Sequence, residues 1–109
     1  MGTIDFESIY NYVKDAVVSI VVSAYKNYKN AAISDATNYL NEAKGKIKEY
    51  TLQLVNEEIS EDEFKFNIAG LKELCEMNAL KECGVTEIAL DKTKSDIINA
   101  VISTIIDKI

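Results

Sequence analysis

Not one proline occurs in these 109 residues, so no point in the chain obliges a helix to kink or stop. Apolar side chains recur at three- and four-residue steps, the period of a helix face rather than of a strand. The two features together predict an all-α fold.

Residues 5–30 carry the first such stripe, at Phe6, Ile9, Val13, Val17, Ile20, Val21, Ala24 and Tyr28. Its middle, Val17 to Val22, is rich in β-branched residues and would suit a strand in isolation, but the length of the pattern favours a helix. That middle is also apolar almost all round, which predicts a central helix touching more than one neighbour. The uncharged run from Ala16 to Tyr25 is about half of the roughly 20 residues a membrane-spanning helix needs. No transmembrane segment is expected.

A second helix, capped by Ser34 or Asp35, places Ala36, Leu40, Ala43, Ile47, Tyr50 and Leu54 on alternating steps of four and three. Gly45 weakens it slightly. Ser60-Glu61-Asp62-Glu63 has the form of a capping box and opens a third helix, with Phe64, Ile68, Leu71, Leu74, Cys75 and Ala79 on its inner face. Gly84 follows where a helix C-terminus wants a left-handed residue, and Thr86 or Ser95 can cap a fourth helix. That last helix carries one broad stripe of Ile97, Ile98, Val101, Ile102, Ile105, Ile106 and Ile109.

Four helices joined by short connections predict an antiparallel up-and-down four-helix bundle formed by a single domain, residues 1–109. The alternative is that the third and fourth helices run together past Gly84, leaving three long helices that self-associate to cover surplus apolar surface.

Composition narrows the chemistry. Histidine is absent, which removes the usual near-neutral acid/base and the commonest metal ligand, and no Glu-x-x-His pair can build a di-iron centre. Arginine is absent too, so all twelve cations are lysines set against eighteen carboxylates, a net charge of −6. A field of that sign repels phosphate backbones, which argues against nucleic acid as a partner. The surplus concentrates in the middle: residues 34–59 carry −2 and 60–84 carry −3, while 1–33 are neutral and 85–109 carry −1.

Local patterns that resemble sites have simpler readings. The run Glu57-Glu58-Ile59-Ser60-Glu61-Asp62-Glu63 lacks the alternating ligands and turn glycine of a calcium loop and reads as a capped helix start. Ser23-Ala24-Tyr25-Lys26 matches a serine–lysine catalytic spacing, but chance supplies that spacing among seven serines and twelve lysines. Tyr25, Lys26, Tyr28 and Lys29 form too short a ladder to stack bases, and lysines suit a helix C-terminus. Cys75 and Cys83 would lie roughly 12 Å apart on one helix, beyond disulfide reach, and no histidine is available to activate either thiol.

No cofactor, metal or catalytic group is therefore expected, and the chain reads as non-enzymatic. Its first residues lack the basic start and apolar core of a signal peptide, and Phe6 stands where a myristoylation pattern wants Ser or Thr, so a cytoplasmic location is expected. What remains is an interaction or assembly module, self-associating or binding a protein. The candidate surface for a basic partner comprises Glu57, Glu58, Glu61, Asp62, Glu73, Glu76 and Glu82; the candidate apolar interface is Ile98, Ile102, Ile105 and Ile109. Alternative readings are a membrane-surface or apolar-ligand protein using the isoleucine stripe, and an acidic immunity-type inhibitor of a basic protein.

Overall fold

Five α-helices and two 3-10 turns carry residues 4–109, which are those the computed structural model describes. Gly2, the residue a myristoylation pattern would acylate, lies outside them. Helix α1 spans Phe6–Ala24, α2 Lys29–Val55, α3 Glu61–Gly70, α4 Asn78–Glu82 and α5 Glu87–Lys108, with 3-10 turns at Lys26–Tyr28 and Leu71–Leu74. No strand occurs among the described residues. The fold is all-α.

Helix α1 packs on both α2 and α5, the two other long helices, as its apolar breadth predicts. Its direction relative to each can be read from side-chain contacts. Glu7 meets Lys44 and Tyr10 meets Leu40, so numbering falls along α1 as it rises along α2. Tyr25 reaches Ala89 and Thr93, while the Lys108 ammonium lies 4.1 Å from the Tyr12 ring centre, so α5 is also antiparallel to α1. The core between them holds Val13, Val17, Val21, Ala36, Ala43, Ile47, Ile97, Val101 and Ile105, all inaccessible to solvent.

Several predicted boundaries move. The first helix ends at Ala24 rather than near residue 30, because Tyr25 leaves helical geometry (φ −128°, ψ 61°) and sends its hydroxyl across to α5. Ala24 and Tyr28 are exposed in consequence rather than lining the core. Helix α2 then starts at Lys29, so Ser34 and Asp35 lie inside it and cap nothing at its N-terminus. At the other end of α2 the amide of Glu57 donates to the Leu54 carbonyl and that of Glu58 to Gln53, a Schellman closure with Glu57 in the left-handed region (φ 61°).

The capping box forms as expected: Ser60 Oγ accepts from the Glu63 amide at 3.1 Å and the Glu63 carboxylate accepts from the Ser60 amide at 3.0 Å. The helix it opens is not continuous to Cys83. It tightens into the 3-10 turn, extends at Cys75 and turns through Met77, a non-glycine residue at φ 54°. That change of phase puts Met77 and Leu80 in the core and leaves Leu74 and Ala79 half-buried. Helix α4 closes at Gly84 (φ 89°) in a second Schellman motif, the amides of Gly84 and Val85 donating to Lys81 and Leu80. The last helix is separate from it, and Thr86 is its cap, accepting from the Ala89 amide.

Candidate functional site: an acidic cleft between α2 and the Cys75–Asn78 elbow

Where α2 passes the break after the 3-10 turn, the surface dips into a cleft of about 330 Å³. Helix α2 supplies Asp35, Asn38, Tyr39, Asn41 and Glu42; the elbow supplies Leu74, Glu76, Met77 and Asn78. Asp35, Asn38, Tyr39 and Glu42 follow one another at steps of three, one and three, so a single face of α2 lines one wall.

Asp35 fastens the two walls together. Only 6% exposed, its carboxylate accepts from the Ala79 amide at 3.0 Å and from the Leu80 amide at 2.8 Å. Met77, at the N-cap position of α4, has no side chain able to do this, so the cap comes from forty-four residues upstream. Beside it Tyr39 is 2% exposed and its hydroxyl has no hydrogen-bond partner among the described residues. Burial, with smaller contributions from Cys75 and Tyr10, raises the pKa of that phenol far above its ordinary value. Burial also pushes the Cys75 thiol up to about 11.

Glu42 and Glu76 are the exposed carboxylates of the cleft. Glu76 accepts from the Asn78 side-chain amide at 3.0 Å, and neither carboxylate has a lysine within ion-pair distance among the described residues. Their setting combines carboxylates and side-chain amides with the apolar surface of half-buried Leu74. Such a mixture suits a long cationic side chain, whose methylene stem needs apolar contact and whose head needs acceptors. No three carboxylates or thiols among the described residues converge as metal ligands would.

The acidic residues picked out from sequence divide between two places. Glu57, Glu58, Glu61 and Asp62 sit at the α2–α3 corner, Glu73, Glu76 and Glu82 around the elbow. About fifteen residues of α2 separate the two, roughly 22 Å along its axis. All seven are exposed, and among the described residues only Glu61 is ion-paired, with Lys65 at 3.4 Å. Glu42, Asn38 and Asn41 escaped the sequence reading; the polar face they share with Asp35 along α2 is the signal that would have found them.

The isoleucine stripe of α5 faces inward. Ile98 and Ile105 are buried against the chain's own helices and Ile102 is half-buried, which leaves Ile109, 46% exposed, as the open member of that set. No helix of the described residues is long and apolar enough to cross a membrane. No protein-family model, curated protein or solved structure matches the chain. The class that fold and site define is an all-α protein with an acidic cleft of mixed polarity.

Proposed function

We propose that this chain is a non-enzymatic interaction module that receives a lysine- or arginine-bearing segment of a protein partner in the cleft between α2 and the elbow. The observation carrying this reading is the pair Glu42 and Glu76: two unpaired carboxylates from different elements facing one cleft with apolar lining. Net charge contributes as well, since a chain at −6 attracts a basic partner from a distance and favours fast association. We read the scaffold as an up-and-down bundle of four members whose third, α3 with α4, is interrupted at the elbow. Support for that reading comes from the antiparallel registers of α1 with α2 and α5, and from the return of the chain from Val55 to the level of Asp35. Self-association has less behind it, because the exposed large apolar residues divide between the two ends of the α1–α5 pair, Tyr12 and Ile109 at one and Tyr28 and Ile88 at the other, with Phe66 apart on α3.

Titrating the 15N-labelled chain with a short lysine- and arginine-rich peptide tests the proposal. Amide shifts are expected to concentrate at Asn38–Glu42 and Glu76–Asn78, to weaken with added salt and to vanish in Glu42→Gln/Glu76→Gln. Shifts centred on Glu57–Asp62, or insensitive to that double substitution, would move the docking surface to the α2–α3 corner and sink the cleft reading.

A further inference from the structure

Helix α4 has five residues, far below the length at which a helix holds itself together, so its shape is imposed by what it is docked on. The contacts that dock it can be named, the exposed Lys81–Glu87 ion pair to α5 at 3.7 Å among them. Asp35 satisfies two of its N-terminal amides, and Cys75, Met77 and Leu80 are buried against the long helices. Left-handed residues mark both ends, Met77 before the helix and Gly84 after it, and the chain is extended at Cys75. Met77 adopts that conformation at a steric cost which only docking sustains.

Two features lower the cost of undocking. The Tyr39 hydroxyl beside the cleft is buried without a partner and gains water when the segment lifts. Asp35 likewise exchanges two amide donors for solvent rather than being left unpaired in an apolar site. Meanwhile the α1–α2 and α1–α5 contacts, which include Tyr10 with Leu40 and Tyr25 with Ala89, involve no residue of the 75–84 segment.

We infer that Cys75–Gly84 is a hinged strap, latched by Asp35, that opens as one unit while the three long helices stay packed and so uncovers Cys75 and the Tyr39 hydroxyl. This holds whether or not a basic partner docks beside it. Opening of this kind belongs to the sub-global class, with a denaturant slope smaller than that of global unfolding because less surface is exposed.

Native-state amide exchange of the full chain at a series of sub-denaturing urea concentrations tests it. The Lys81 and Cys83 amides, which bond within the strap, are expected to exchange with less than about half the denaturant slope of Ala43 and Val17 in the α1–α2 core. Asp35→Asn, which weakens the latch, is expected to speed Lys81 and Cys83 exchange about 10-fold or more. Val17→Ala destabilises closed and open forms alike, so it should speed core exchange and leave the strap amides within about 2-fold. If Asp35→Asn does not fold, Gly84→Ala strains only the exit hinge, since a Cβ there meets nothing within 4 Å, and is expected to speed the same amides about 5-fold. Reaction of Cys75 with a thiol reagent in Cys83→Ser should follow the strap amides. Strap and core amides sharing one slope, or Val17→Ala accelerating both equally, would overturn the strap.

Discussion

The Tyr10 hydroxyl donates to the Leu40 carbonyl oxygen at 2.9 Å, a buried bond that ties α1 to α2 across thirty residues of sequence. Tyr39, the residue immediately before Leu40, has a buried hydroxyl with no partner among the described residues. Identical deletions should therefore have opposite consequences. Tyr10→Phe is expected to lower stability by about 1 kcal/mol, roughly 4 °C in Tm for a chain of this size. Tyr39→Phe removes a desolvated hydroxyl that bonds nothing and is expected to be neutral or stabilising by up to about 1 kcal/mol. Thermal unfolding of the two variants beside the parent checks both signs.

Glu57 closes α2 in the left-handed region, where a Cβ is sterically disfavoured and glycine is not. Glu57→Gly is expected to raise stability by about 0.5–1 kcal/mol, with little change in the urea slope. The reverse case is Gly84→Ala at the end of α4, expected to cost about 1 kcal/mol.

Phe64 and Phe66 lie two residues apart on α3 and differ completely in burial, Phe64 inaccessible and Phe66 79% exposed. Phe64→Ala should cost about 3–5 kcal/mol, whereas Phe66→Ala should stay within about 0.5 kcal/mol. Urea denaturation separates the two, and a large effect at Phe66 would show that its ring is covered in solution.

The Cys75 thiol, pushed up to about 11 from an ordinary value near 9 chiefly by burial, is held neutral in the fold. A group whose pKa is raised by folding contributes its stability below the unfolded value and loses it as pH climbs through the folded one. Stability should accordingly fall between about pH 9 and pH 11, with the Tyr10 phenol, also raised by burial and by Glu7, acting in the same direction. Cys75→Ala is expected to flatten part of that decline, measured as the urea midpoint against pH. Near pH 8 the exposed Cys83 should react quickly with a thiol reagent while buried Cys75 lags behind it.

Helix class, the core stripes of α1 and α2, the Ser60–Glu63 box, the Gly84 stop and the Thr86 start were all legible in the sequence, because each rests on neighbours within about four residues. Part of the site was legible on the same terms: Glu76 stands out by its charge, while Asn38, Asn41 and Glu42 belong to the polar face of an amphipathic helix that carries many other polar residues.

Asp35 shows where that legibility stops. By local rules it is a helix cap for the residues that follow it, and it is indeed a cap, but for the amides of Ala79 and Leu80 on a helix more than forty residues away. The break at Cys75–Met77 has the same origin. Its residues carry no proline or glycine to announce it, and Met77 takes a left-handed conformation because docking Leu80 and meeting Asp35 outweigh the continuation of one helix. Periodicity and capping are properties of the chain with itself over a few residues, and sequence alone determined them. Which carboxylate meets which amide, and which hydroxyl is left without a partner, depended on where the long helices brought distant segments together, so only the tertiary structure decided them.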